Sequence, residues 1–219
     1  MATHIKENYL KAIYYLDRKD KNISMSDLSK DMKVSIPTVN SMVKRLQEEK
    51  WVIYEKYKPL RITKKGKKQA ALIIRKHRLT EMYLVQLMGF GWDEVHDIAE
   101  EIEHIKIDAF FDRMDTLLGF PSVDPHGSPI PDIHGNVVQK SYLELSEVLP
   151  GGNYRVCALK DSSKEFLQYL NRQEIKLGTT LEIARIEPFD KSIKVIYGNS
   201  SSLVLSADVC CRLMVEQVF

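Results

Sequence analysis

Between Ser24 and Leu46 two short amphipathic stretches are separated by a turn of a few residues, which leaves little choice but two helices meeting at a steep angle. The first, Ser24 to Met32, turns Leu28 and Met32 inward, with Ser24 or Ser26 as its cap. Lys33-Val34 makes the turn. Ser35 caps the second, which opens on Ile36-Pro37, where proline gives up an N–H that has no helical partner anyway. Val39, Val43 and Leu46 pack inward and leave Thr38, Asn40, Ser41, Lys44 and Arg45 outside. Ahead of the pair, Ile5, Tyr9, Leu10, Ile13 and Leu16 recur at helical spacing. Behind it, Trp51–Tyr54 and Leu60–Thr63 flank a turn at Lys56-Tyr57-Lys58-Pro59, a hairpin with a basic tip. Thr63 can cap a further helix whose start, Lys64-Lys65-Gly66-Lys67-Lys68, is strongly basic. A helix-turn-helix with a hairpin wing sets its second helix in the major groove, small polar residues toward base edges and basic ones toward phosphate.

Charge divides along the same line. Residues 1–78 hold 20 basic and 8 acidic side chains, a balance of +12, against −10 for the remainder and +2 overall. A basic module that meets a polyanion, joined to an acidic part with another task, accounts for this. A solvated charged face, or a three-helix module for protein contacts, is the plainer alternative. With 44% hydrophobic and 28% charged residues the chain is long enough to bury a core and is not disordered. No apolar run reaches the roughly 18–20 residues of a membrane span. The opening Met1-Ala2-Thr3-His4-Ile5-Lys6-Glu7 lacks the order of a signal peptide, so a cytoplasmic protein with no membrane partner is expected. Cys157, Cys210 and Cys211, without CxxC spacing, argue against a disulfide scaffold or zinc finger, and Cys210-Cys211, alternating in and out of a strand or turn, read as buried hydrophobes.

The acidic part carries donors at metal-ligand spacing. Helical periodicity from Lys64 to about Met88 sets His77 and Glu81 one turn apart. After Gly89-Phe90-Gly91, a second helix from Trp92 to about Leu118 would turn His96, Glu100, Glu103 and His104 to one side. Residues 92–124 hold ten acidic and two basic side chains. Glu100, Glu103 and His104 could hold one cation, and an oxygen-rich set with imidazole favours manganese or ferrous iron over zinc or cuprous copper. Solvated glutamates and an ordinary histidine are the alternative. Leu72, Ile73, Leu84, Val85, Ile98, Ile102, Ile105, Phe110 and Phe111 exceed what one helix pair would bury, which predicts a homodimer suited to a palindromic site.

Beyond residue 140 the chain turns to short alternating segments. Ser141–Leu149 reads as a short helical stretch before Pro150-Gly151-Gly152. Strands follow at Tyr154–Leu159, Thr180–Ile186, Ser192–Tyr197, Ser202–Leu205 and Arg212–Val215, with one helix at Ser163–Arg172, a small β-barrel. The expected class is mainly α with a β part: 1–73 winged helix-turn-helix, 74–140 helical dimerisation and metal-binding domain, 141–152 linker, 153–219 β domain.

Several motifs in register carry a resemblance: Glu7–Tyr14, Pro37-Thr38-Val39, Leu60–Gly66, Arg75–Glu81, Val95-His96-Asp97, Glu103-His104 and Pro125–Pro131. Together they resemble the diphtheria-toxin-repressor family of metal-dependent regulators, its manganese-responsive branch included. The resemblance implies a homodimer that binds double-stranded operator DNA of metal-uptake genes when divalent metal is abundant, and an SH3-like (FeoA-like) C-terminal domain. By position it implies a principal metal site of Asn8, Glu100, Glu103 and His104, and a neighbouring one of His77, Glu81 and His96. In some manganese-responsive members the partners of His77 and Glu81 fall instead at positions matching Asp124, His126 and Asp161, and Glu165. With the helix geometry, it makes Ser35, Pro37, Thr38, Asn40, Ser41, Lys44, Arg45, Lys56 and Lys58 the candidate DNA contacts. Asn8 stands where the family commonly has Met or Asp, and Glu100 where iron-responsive members have Cys. Losing both sulfur donors points to Mn2+, with Fe2+ the alternative. Lys11 stands where some two-metal sensors have an acidic ligand, which argues against a close two-ion cluster. An iron-responsive repressor, a winged-helix regulator with an organic ligand and a metal hydrolase are the rival readings. The last lacks any Ser-His-Asp order, phosphate loop or HExxH.

Overall fold

Caps and apolar spacing set the N-terminal elements. The computed structural model describes residues 2–19, 22–56, 58–138, 140–198 and 201–218. α1 (Ala2–Arg18) buries Tyr9, Leu10 and Ile13. α2 (Met25–Asp31) is capped by Ser24, whose hydroxyl accepts from the Asp27 N–H at 3.0 Å. α3 (Ile36–Glu48) is capped by Ser35, which accepts from the Thr38 N–H at 3.4 Å. Lys33 takes a left-handed φ of 53° between them, so the turn closes within a few residues. Val39, Val43 and Leu46 are fully buried.

β1 (Val52–Ile53) and β2 (Arg61–Ile62) pair antiparallel as the wing, and Leu60 bridges to Ile23. Tyr57, in the wing's turn, lies outside the described residues. Thr63 binds the Lys50 carbonyl at 2.8 Å and accepts from the Gly66 N–H at 2.9 Å, so the end of the wing is also the cap of α4 (Lys64–Met88).

Spacing predicts one helix from Trp92 to Leu118, whereas the chain forms α5 (His96–Ile102) and α6 (Asp108–Leu117). Two features end the first helix. Glu103 is drawn into buried ion pairs, and Ile105 and Ile107, β-branched and poor in a helix, flank the exposed Lys106. Asp108 then begins α6, where an acidic side chain suits the helix dipole.

The described residues gather into two units. The first holds Met1–Thr80, Ala99–Phe120 and Ile130–Val138, built on the apolar cluster of α1, α2, α3 and the wing. Within it the Arg75 guanidinium binds Asp115 at 2.5 Å and the Pro131 carbonyl at 2.8 Å. The second holds Glu81–Ile98, Pro121–Pro129 and Gln139–Phe219.

The second unit carries an antiparallel sheet of six strands, β3 (Leu143–Glu144), β4 (Asn153–Leu159), β5 (Thr180–Ile186), β6 (Ile193–Tyr197), β7 (Ser201–Leu205) and β8 (Leu213–Val218), in the order β3-β8-β4-β5-β6-β7. Its inward residues share one cluster with α7 (Lys164–Arg172), a small β domain as the strand spacing predicts and of the SH3-like kind that the resemblance implies. The expected linker at 141–152 is a correction. Leu143 and Glu144 pair with Val215 and Met214, and Leu145–Glu147 form a single 3-10 turn closed by a Glu144/Glu147 capping box, with Leu145 in the core. Cys210 ends a short helix, α8 (Ala207–Cys210), and is buried, whereas Cys211 lies in the turn after it and is only half-buried. Burial pushes the Cys210 thiol up to about 12, as befits an inert core residue.

Candidate metal centre and nucleic-acid face

In the first unit one face of α1, bearing His4, Glu7, Asn8 and Lys11, shares helical spacing and meets the residues around the end of α5. Glu103 is the hub, its side chain fully buried. Its Oε2 accepts from His77 Nδ1 at 2.7 Å, and its Oε1 is paired with the Lys11 ammonium at 2.5 Å. Lys11 also donates to Glu100 Oε2 at 2.7 Å. Burial alone would lower the Lys11 pKa, but Glu103 and Glu100 outweigh it and hold it above its ordinary value.

His104 is oriented by a residue that spacing did not single out. Its Nδ1–H donates to Glu7 Oε2 at 2.6 Å, and its ring stacks on His4 with centroids 4.4 Å apart. Nε2 lies 3.7 Å from Glu103 Oε1. This carboxylate–imidazole pairing is how proteins fix a metal-binding histidine, and the signal in the sequence was an acidic residue beside Asn8. The four residues expected to share one helix face are thus divided: Glu100 is helical, whereas Glu103 and His104 sit in the turn beyond it. His77, Glu100 and Glu103 have donor atoms all within 4.8 Å of one another. Asn8 Oδ1 is buried with no hydrogen-bond partner among the described residues. A buried, unpartnered amide oxygen on α1, with carboxylates and imidazoles gathered on α4 and around the end of α5, fits a divalent cation.

The second unit holds another group. Glu81, Asp124 and His126 are all buried and offer donor atoms within 4.8 Å of one another. The loop that carries two of them is tightly built. Asp124 Oδ1 accepts from the N–H groups of His126 and Ser128 at 2.8 and 2.9 Å. Gly127, at φ +83°, lies so close to β4 that a Cβ would stand 2.3 Å from the Cys157 carbonyl oxygen. His126 Nε2–H donates to the Trp92 carbonyl at 2.9 Å, which leaves Nδ1 facing Glu81 at 3.9 Å. His96, exposed, approaches Glu81 at 3.4 Å. Asp161 accepts from Arg212 at 2.7 Å and from the Ser163 N–H at 2.8 Å. Glu165 is exposed in the first turn of α7.

On the nucleic-acid face Ser35, Pro37, Thr38, Ser41, Lys44, Arg45, Lys56 and Lys58 are exposed. Asn40 is half-buried, its carbonyl accepting from the Tyr54 hydroxyl at 3.2 Å. Ser35 and Thr38 are hydrogen-bonded to each other through their hydroxyls, and Lys58 pairs with Glu55. Of the apolar residues expected at an interface, Ile73, Leu84 and Phe111 are buried, whereas Ile105 and Phe110 are exposed.

A winged helix joined to a helical module rich in buried carboxylate and imidazole donors defines the class of metal-responsive DNA-binding regulators. Residues 1–60 match the model described as iron dependent repressor, N-terminal DNA binding domain. Residues 63–132 match iron dependent repressor, metal binding and dimerisation domain, and 143–217 match the FeoA domain. The chain belongs to this family, that of the diphtheria toxin repressor. The HTH-type transcriptional regulator MntR of Bacillus pumilus is 32% identical over 120 residues, 55% of this chain and 83% of that one. The iron-dependent repressor IdeR of Mycobacterium leprae is 32% identical over 127 residues, 58% of this chain, and the chain spans about half of that relative, 55%. A solved manganese-dependent transcriptional repressor in complex with manganese has a TM-score of 0.85 at 29% identity, covering 97% of this chain and 100% of that one.

Proposed function

We propose that the chain is a metal-activated, homodimeric transcriptional repressor of the cytoplasm, with Mn2+ as its activating ion and the operators of metal-uptake genes as its DNA. The observation that carries this reading is the meeting of α1, part of the DNA-binding module, with Glu100, Glu103 and His104, the last two buried. Asn8, Glu100, Glu103 and His104 would hold the ion, with His77 behind Glu103, and it would supply a charge that ties α1 to the α5 end. Glu81, Asp124 and His126 would form a second site. Relatives named for manganese and for iron support a divalent ion, and a donor set without sulfur favours manganese of the two.

The chain's own residues supply the rest. Glu7 orients His104, His77 shares the charge of Glu103, and Ser35 and Pro37 start α3 so that Thr38, Ser41, Lys44 and Arg45 face outward. Exposed Ile107, Phe110 and Leu117 on and beside α6 offer an apolar face suited to a second copy. Among the described residues no helix is long and apolar enough to cross a membrane, in keeping with a cytoplasmic regulator. Metal binding favours the DNA-competent form only through tighter binding to that form.

The test is fluorescence anisotropy on DNA from upstream of this gene and of nearby transporter genes, in chelator and then with manganese, anaerobic ferrous iron or zinc at fixed salt. Binding that requires metal, strongest with manganese, is expected, and Glu103→Ala with His104→Ala should abolish it without unfolding the protein. Equal binding in chelator would refute metal activation, and iron ahead of manganese would favour the iron-responsive reading.

A further inference from the structure

We propose that Lys11 is the resident counter-cation of the Glu100–Glu103 pair and sets the metal affinity of this site by competing for its donor oxygens. The inference rests on the reading of Glu100, Glu103 and His104 as metal ligands. The ammonium lies 2.7 Å from Glu100 Oε2 and 2.5 Å from Glu103 Oε1. Each of these oxygens also stands near an imidazole: Glu100 Oε2 is 3.9 Å from His77 Nδ1, and Glu103 Oε1 is 3.7 Å from His104 Nε2, while the other Glu103 oxygen holds His77 Nδ1 at 2.7 Å. The positive charge therefore stands among the donors themselves. It is also well shielded, with the Lys11 side chain 12% exposed and that of Glu103 fully buried.

A divalent ion bound by those oxygens would face a like charge at contact distance, where repulsion is strong and weakly screened. Lys11 must therefore give up both ion pairs, and its flexible four-carbon stem is what permits the withdrawal. The site then fills only where metal is abundant enough to outbid a ligand that the chain carries with it. A purely structural clamp between α1 and the α5 end would have the opposite effect, because loosening it would scatter the donors and weaken metal binding. The sign of the change on removing the charge separates the two.

The experiment is calorimetric titration of the full-length protein with manganese chloride against a competing chelator, with bound manganese counted by electron paramagnetic resonance. Lys11→Met and Lys11→Gln should tighten one site at least about tenfold in Kd, about 1.4 kcal/mol, while Lys11→Arg should stay near the parent value. Lys11→Gln keeps a polar donor beside Glu103 and serves should Lys11→Met fold poorly. Unchanged or weaker binding in the neutral variants overturns the proposal. Glu103→Gln distinguishes the two levels. If it removes a manganese equivalent while the Lys11 variants change nothing, the site stands and the competition does not. If it removes none, the ligand assignment itself fails and the competition with it.

Discussion

Glu7 and His104 illustrate how much of a proposed metal ligand is decided by the residue behind it. An imidazole presents one lone pair, and which nitrogen carries it depends on the bond made by the other. With Nδ1–H held by Glu7 at 2.6 Å and the ring stacked on His4, Nε2 is the nitrogen turned toward Glu103. Glu7→Ala removes the orienting acceptor of His104 and leaves every proposed ligand in the chain. Losses of roughly 10- to 100-fold in metal affinity are usual for such partners, so a weakening of about tenfold in manganese titration is expected. Unaltered affinity would mean that packing alone, through His4 and the buried walls, orients the ring.

At the scale of elements, the junction of wing and α4 depends on one missing atom. Gly66 lies in the first turn of α4, and a Cβ there would stand 2.1 Å from the Trp51 carbonyl oxygen. Glycine to alanine within a helix ordinarily stabilises by up to roughly 1 kcal/mol. Here the obstacle is backbone, which cannot swing aside, so Gly66→Ala should destabilise by about 1–3 kcal/mol. The midpoint of urea unfolding measures it, and a raised midpoint would show that the junction yields freely. Elements whose caps and apolar spacing agree were legible from sequence: Ser24 for α2, Ser35 for α3, Thr63 for α4, and alternation for β5. Where tertiary forces outweigh local preference, legibility ended. The break between α5 and α6 is made by Lys11 and His77 drawing in Glu103 across 92 and 26 residues, pairings that no window of periodicity contains. Likewise Leu143-Glu144 become a strand because β8, some seventy residues on, offers an edge. The candidate donors were legible because their chemistry is conspicuous, but their hydrogen-bonding partners Glu7 and the Trp92 carbonyl were not. The latter is a backbone group with no signature at all.

For the whole molecule, the separation of +12 in residues 1–78 from −10 in the rest predicts how DNA affinity responds to salt. Neutralising each phosphate releases condensed counterions, and the logarithm of affinity falls against the logarithm of salt with a slope of about −0.9 per contact. The basic module is where such contacts concentrate, since it carries 20 of the 32 basic side chains and the remainder is net acidic. Within that module not every cation is equally available: Lys6 pairs with Glu49, Lys67 with Asp17 and Lys58 with Glu55. Lys44 and Arg45 are exposed on α3 and make none of the described ion pairs, which leaves them the stronger candidates for phosphate. If each meets one phosphate per protomer of a dimer, Lys44→Ala or Arg45→Ala should flatten the slope by about 1.8, with loss of affinity on every sequence alike. Thr38→Ala and Ser41→Ala, if those residues face base edges, should instead leave the slope intact and weaken discrimination between operator and unrelated DNA. Anisotropy titrations with manganese present, across a series of salt concentrations, separate the two behaviours. An unchanged slope in both Lys44→Ala and Arg45→Ala would move the phosphate-binding face from α3 toward the wing and the start of α4, where Lys56, Lys64, Lys65 and Lys68 remain exposed.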